Sequence, residues 1–558
     1  MMRLTHLLSM PLLLAGCVDQ LHEEAHALTF IETETTSSTS GSGVPTTSQA
    51  ATDPVQTVTS DTTLDASTAA VDETTASSGE PANVPPTIDL FEAEPNQLSE
   101  AGKSLLQLHA SDDVITVRLF QNGEKIAELT PADFPYTYEA FSAKYNGDPH
   151  TFMVEVLDAE GLKASADLKL TVLLPPSGAE RCHFTDENMG AKSSAIMGLA
   201  YTADVIVAVG LRDTGPGDRM TIWKLDKATC KLIPGWPRTL ADWTAEPALA
   251  KQSSRAVGVA IDASGYIAVA ANLSVGGKPQ LYAALLTPQG SRVWETTGYV
   301  GEESAGIAAG DDHRVYVVGA VQTGENPLRT DARIWRLDFG NGTLLIGQSD
   351  LRAPFKPGEF DPDMKNIRSE RSRAVLIWND EVFVIGEREF KPDDVNLYTR
   401  TFVARYQLYG DEIGLPWTSP GDFLPQEAMT TVSVCGTALI AGGWTRGATP
   451  GSSPLPLVRW IKPDGTSTEG HSDLLPSTQI YGIACDREGK IVSGATKWDG
   501  EFDTRVFASE SPKLPPLIYD NGVFGEDATL ALACDADESF CVGGGFRSPS
   551  AFLRVYHP

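Results

Sequence analysis

One phrase recurs seven times through the last two-thirds of this 558-residue chain, and it limits the fold more than any other feature. A short apolar strand runs into a turn built on Asp or Gly, and a second apolar strand follows and closes on Gly. The clearest copies are VGVAIDASGYIAVA from Val257, GIAAGDDHRVYVVG from Gly306 and YGIACDREGKIVSG from Tyr481. Looser copies begin at Gly198, Ala374, Thr431 and Leu530. A third strand with an aromatic and often a basic residue comes next, as in TIWKLD from Thr221, ARIWRLD from Ala332 and AFLRVY from Ala551. A weaker fourth segment such as GSRVWETTG from Gly290 completes the unit. Four short antiparallel strands repeated at a period of roughly 56 residues are the make-up of a β-propeller blade. The fold class we expect is therefore all-β, with about seven blades.

The residues of the phrase have structural work to do. Gly210, Gly319, Gly386, Gly443, Gly494 and Gly544, with Ala271 in the second copy, are expected where inner strands crowd toward the axis and a side chain would collide. The third-strand Trp and Phe are expected to fill the wedge between neighbouring blades rather than to hold a cofactor. The last copy stops after its third strand, while Arg181-Cys182-His183-Phe184-Thr185 precedes the first copy without a partner. We expect this segment to supply the outer strand of the last blade, so that the ring closes with no open edge.

The stretch DASGYIAVAANLSVGGKPQLYAALLTPQGSRVWETTG from Asp262 resembles the bacterial β-propeller repeat called SBBP, as do the copies at Gly306 and Tyr481. Asn379-Asp380 and Cys435-Gly436 replace the Asp-x-x-Gly turn in other copies, which leaves the exact number of blades open. The resemblance implies the fold and carries over no catalytic residue.

Ahead of the repeat, residues 86–175 alternate apolar and polar positions with a period of two. IDLF, SLLQLHA, ITVRLFQNGEKIAELT, HTFMVEVLD and ADLKLTVL read as strands of a β-sandwich, and Asn122-Gly123 marks a tight hairpin. The order PPTIDLF, ASDDVITVRLFQNGEKIAEL, DPHTFMVEVLDAEGLKASADLKLTV resembles the bacterial Ig-like domains of surface proteins. Asp112, Asp113 and Asp158 could together ligate calcium at a domain end, but turn formation is the commoner use of such residues. Pro175-Pro176-Ser177-Gly178 reads as a short linker to the propeller at 180–558.

Residues 17–85 are dominated by Thr, Ser, Ala, Asp and Glu and have no apolar period, so they cannot bury enough surface to offset chain entropy. We expect a disordered stalk. His22-Glu23-Glu24-Ala25-His26 inside it satisfies the HExxH zinc pattern, yet it offers no rigid helix, third ligand or cleft, so chance occurrence is preferred and no metal site is assigned. Residues 1–16 carry Arg3 and a short apolar run, which describes an export signal too short to span a bilayer. Its ending, Leu14-Ala15-Gly16-Cys17, resembles the bacterial lipoprotein box. The resemblance implies removal of the signal, lipidation of Cys17 and, because Val18 rather than Asp follows, residence at the outer membrane facing the periplasm or the exterior.

Net charge of −31, from 74 acidic and 43 basic residues, argues against nucleic acid as a partner. With Cys17 lipidated, six cysteines remain for a compartment that permits disulfides, and fifteen pairings are possible. Cys534 with Cys541 across a hairpin is the first pair we expect; Cys435 with Cys485 and Cys182 with Cys230 come next, and reduced thiols stay open as the alternative.

No cofactor is implied. The chain lacks sialidase Asp boxes, a GxSxG elbow and a phosphate-binding glycine loop, and no catalytic residue is assigned. Lys224, Arg336, Arg405, Arg459 and Arg554 recur on third strands and could line a surface for an anionic glycan, though packing of their stems with the charge at solvent is preferred. The insertions Phe355–Arg368 and Glu387–Tyr398 are better candidates for partner contact. The expected function is a lipid-anchored envelope protein that touches the membrane through its anchor only and binds or scaffolds an extracellular protein or glycan. The alternative is a glycan-active hydrolase or lyase with carboxylates at the propeller channel.

Overall fold

Alternation of apolar and polar residues is visible directly in the strand His150–Leu157, where Phe152, Val154 and Val156 are fully buried and the residues between them face outward. The structure is a computed structural model. It describes residues 84–557 apart from 142, 187–192, 216, 311–312, 323–329, 346–366, 391–397, 408–416, 419–425, 447–452, 463–466, 472–476, 487–488, 499–501, 510–516, 521–526, 536–539 and 548–549. The signal, the lipobox residues Leu14, Ala15, Gly16 and Cys17, the stalk and the HExxH phrase lie outside the described residues. The described elements are strands and four single-turn 3-10 segments.

His150–Leu157 belongs to a five-stranded sheet that runs Gln97–Leu98, Lys163–Val172, His150–Leu157, Thr116–Gln121 and Glu124–Leu129. A three-stranded sheet of Ile88–Glu94, Gly102–Ala110 and Tyr136–Ala140 faces it. Leu106 from one sheet and Val117, Leu119 and Leu170 from the other share the core with the residues above, which makes an Ig-like sandwich. Each such side chain contributes roughly 1.5–3 kcal/mol of burial. Asn122 and Gly123 both take positive φ, 51° and 85°, as a type I′ hairpin requires.

Beyond it, the described residues form seven antiparallel units in six sheets, each unit starting from an inner strand: Ser193–Tyr201, Ser254–Ile261, Glu302–Gly310, Ile367–Trp378, Gln426–Cys435, Thr478–Cys485 and Asp527–Asp535. In each, the second strand pairs antiparallel with the first and the third with the second. Every inner strand packs on the next, and the seventh packs on the first, the order of a seven-bladed propeller. Blades four and five are joined further by the parallel pair Thr399 and Gln426. The third-strand aromatics lie between blades: Trp223 of blade one packs with Val542 and Leu553 of blade seven, and Trp335 of blade three packs with Leu281 and Leu285 of blade two.

Closure uses the segment ahead of the first blade. Glu180–Thr185 pairs antiparallel with Ser550–Tyr556 as the fourth strand of blade seven. Cys182 is bonded to Cys230 of blade one, 48 residues on, and Arg212 of blade one ion-pairs with Asp186. The preceding Pro175–Gly178 stretch, expected as a plain linker, is fastened to the ring. Gly178 donates its N–H to the His557 carbonyl at 2.6 Å, and Lys490 Nζ donates to Ser177 Oγ at 3.0 Å.

Candidate functional site at the axial mouth

Every inner strand slips register at the same place, leaving one residue without a partner on the second strand, and the blade-four strand slips a second time at Arg368. The seven are Met197, Val257, Ala305, Arg373, Thr430, Tyr481 and Leu530. A bulge of this kind bends the strand and re-aims a side chain. The residue after it is small in each blade, and Gly198, Gly258 and Gly306 form a run of backbone contacts: a Cβ on Gly198 would lie 3.1 Å from Gly258 Cα, and one on Gly258 would lie 3.5 Å from Gly306 Cα. Crowding around the axis therefore falls on these positions, one residue beyond the bulge.

The second-strand glycines answer to a different neighbour. A Cβ on Gly210 would sit 1.9 Å from the Ala195 carbonyl oxygen, one on Gly319 1.8 Å from that of Glu303, and one on Gly443 1.9 Å from that of Ala428, all within the same blade. The equivalent positions in blades six and seven are Ala495 and Gly545, opposite Ile480 and Thr529. Gly494 and Gly544, one residue earlier, face the adjoining blade instead: Cβ atoms there would meet Thr529 Cγ2 at 2.6 Å and Ile196 Cγ2 at 2.9 Å. The expectation that axial crowding explains all six glycines is corrected accordingly.

Five of the seven bulge residues are apolar or small. Blades four and six put Arg373 and Tyr481 there. Arg373 Nε donates to Glu387 Oε1 at 3.0 Å, and its Nη2 donates to the same oxygen. Burial pushes the Arg373 pKa down, but Glu387, with help from Glu303 and Glu389, outweighs it and holds the guanidinium above its ordinary value. Burial pushes the Tyr481 hydroxyl well up, opposed by the charges of Arg373 and Arg446, so it stays neutral and can donate. It donates to Gln479 Oε1 at 2.6 Å. The Arg373 charge acts on the Tyr481 hydroxyl although a whole blade lies between their strands. Thr430 of the intervening blade donates its hydroxyl to the Ile480 carbonyl and fixes the neighbouring strand.

The turn residues have local duties. Asp262 accepts the Tyr266 N–H at 2.7 Å, Asp486 accepts that of Lys490 at 2.8 Å, and Asp158 of the sandwich accepts that of Leu162 at 2.7 Å. Gly265, Gly489 and Gly161 supply the positive φ that each turn needs. Asp158 is buried while Asp112 and Asp113 are exposed, and no cluster of three or more His, Cys, Asp or Glu side chains suited to a metal occurs among the described residues.

The third-strand cations do not form one surface. Arg459 is 1% exposed with Nη2 2.5 Å from Glu427 Oε2, Arg336 is buried, Arg405 pairs with Glu381, Arg554 lies 3.6 Å from Glu180, and Lys224 donates to the Pro288 carbonyl at 2.7 Å. Charge at solvent is thus corrected to charge held inside for Arg336 and Arg459. Of the expected insertions, Glu387–Phe390 and Tyr398 belong to paired strands, and 355–366 and 391–397 lie outside the described residues. The structure bonds Cys182 to Cys230 and Cys435 to Cys485. Cys534 is also disulfide-bonded, and its register partner is Cys541. Disulfides of this kind belong to an oxidising compartment, the exterior or the cell envelope.

Sequence reasoning passed over Arg373 because the repeat phrase was read from Ala374 onward. Its signal was the run Ser369-Glu370-Arg371-Ser372-Arg373, which ends on a charged residue where the other copies end on Met197, Val257, Ala305, Thr430, Tyr481 and Leu530.

No protein-family description matches the chain, and no curated protein matches it. Solved structures similar to it include the plexin A4 full extracellular region, at 10% identity and TM-score 0.42, over 68% of this chain and 51% of that one. Sqt1 from Chaetomium thermophilum is similar at 13% identity and TM-score 0.36, over 66% and 81%. The extracellular domain of the putative one component system BT4673 from B. thetaiotaomicron is similar at 11% identity and TM-score 0.35, over 65% and 38%. The chain spans about half the length of the plexin region. None of these likenesses bears on what the chain binds.

Proposed function

We propose that the chain is a lipid-anchored envelope protein, tethered through Cys17 and an acidic stalk at the outer membrane, whose propeller is a binding or scaffolding module for an extracellular protein. The ligand would meet the axial mouth of blades four to six. The observation that supports this reading is the chemistry of that mouth: a neutral hydroxyl and an arginine held in place by a carboxylate. Glycoside hydrolysis asks for two carboxyl groups poised across a bond, one of them free to give a proton. Glu387 instead holds Arg373, which makes it a positioning group.

The test is a binding screen of the full chain against envelope proteins and glycans, scored for retention and turnover. Retention without turnover is the expected result; turnover of any glycan would refute the reading. For the anchor, Cys17→Ser should move the protein from the membrane to the soluble fraction, and continued membrane association would refute lipidation.

A further inference from the structure

We propose that the mouth formed by blades four to six binds a carboxylate carried on a peptide, with Arg446 as the cation that meets it and Tyr481 as the donor that orients it. This deepens the binding-module reading and rests on it.

Arg446 ends the second strand of blade five, opposite Gln426 at the start of the inner strand, so it sits at the face of the ring where inner strands begin, the same end as the bulges. Its guanidinium lies over the Trp444 ring, 5.2 Å from the centroid, and its Nε is buried with no hydrogen-bond partner. Among the described residues no carboxylate pairs with it, whereas Arg212, Arg373, Arg388, Arg405 and Arg459 each have one. Burial lowers its pKa. A part-buried guanidinium without a counter-charge is costly, and an arriving anion removes that cost. In a chain of net charge −31, a counter-charge would be the easiest thing to supply from within.

The second observation is Tyr481. The charges of Arg373 and Arg446 act on its hydroxyl and oppose the upward push of burial. Arg373 is already paired with Glu387, whereas the Arg446 Nε–H is left without a partner. Tyr481 can turn its hydroxyl from Gln479 toward an incoming oxygen at the cost of one neutral hydrogen bond.

The bulge positions of blades seven and one hold the partly exposed Leu530 and Met197, while Val257 of blade two packs against the core between blades two and three. An apolar side facing a cationic side suits a peptide with aliphatic side chains next to its carboxylate. An acidic sugar would leave hydroxyls unpaired against that apolar side, which costs more than it gains.

The experiment measures fluorescence anisotropy of three labelled synthetic peptides against the full chain: one ending in a free carboxylate with only aliphatic side chains, the same peptide amidated, and an amidated peptide with an internal Glu between Leu and Val. Oligogalacturonate is the competitor. Binding of either carboxylate peptide, weakened about tenfold or more by Arg446→Gln and by Tyr481→Phe, is expected. The two carboxylate peptides separate a terminal from a side-chain source. Equal binding of the amidated aliphatic peptide, unchanged affinity in a folded Arg446→Gln protein, or displacement by oligogalacturonate but not by peptide would overturn the proposal. If Arg446→Gln fails to fold, Tyr481→Phe decides, since it removes only the hydroxyl. Retention of a partner in the wider screen with no effect of either substitution would refute this site and leave the binding-module reading standing.

Discussion

Arg212 and Asp186 meet as a buried pair, Nε donating to Oδ2 at 2.7 Å and Nη2 to the other oxygen, and the contact joins blade one to the strand that completes blade seven. The guanidinium also lies over Trp223, 5.7 Å from the ring centroid. Removing one partner strands a buried charge. Arg212→Met should lower unfolding free energy by about 3–5 kcal/mol, read from urea denaturation. Arg212→Met with Asp186→Leu should recover most of that loss, because burying two apolar groups is close to neutral; a double variant as weak as the single would contradict this account.

The Cys182–Cys230 bond closes a loop of 48 residues. Chain-entropy arguments put its worth at up to about 4 kcal/mol. Cys182→Ala with Cys230→Ala should melt well below wild type, and adding reductant should lower the wild-type melting point but leave that of the double variant less affected.

Gly443→Ala tests the bulge. Its new methyl would start 1.9 Å from the Ala428 carbonyl oxygen, so the backbone of the inner strand must move, at about 1–3 kcal/mol. Gly436→Ala is the contrast: φ is +58° with open space around it, so only the backbone preference is lost, about 1 kcal/mol. Denaturant midpoints of the two variants should fall in that order.

His557 sits where the sandwich linker meets the last blade, and burial, aided by Arg181, depresses its pKa below 6.5, against a smaller pull from Glu100. A depressed folded value means that the unfolded chain takes up the proton first. The contribution to stability is therefore intact above about pH 6.5 and is lost as pH falls toward the folded pKa. Melting temperature should drop between neutral and mildly acid pH, and His557→Asn should flatten that part of the profile.

The hairpins were legible because each copy of the phrase spells out two strands and a turn, as in Asp262 to Gly265. The closing strand was legible because Cys182 to Thr185 lacked a partner on one side and Ala551 to Tyr556 lacked one on the other. The bulges were not, because register is a relation between strands: nothing in Ile196-Met197-Gly198 read alone says that Met197 will be skipped. That is why Gly494 and Gly544 were taken for the wrong glycines, and why Arg373 and Tyr481 did not stand out. The effect of the Arg373 charge on Tyr481 across blade five depends on how far the sheet curls, which no local pattern records.

The closing strand also dictates an order of assembly. Glu180–Thr185 emerges during synthesis long before its partner Ser550–Tyr556. For the time between, a strand with unsatisfied backbone groups must wait without joining another chain. Cys230 emerges soon after Cys182, so a bond between them can form long before the ring is complete and park that strand beside blade one, where the arriving Ser550–Tyr556 finds it.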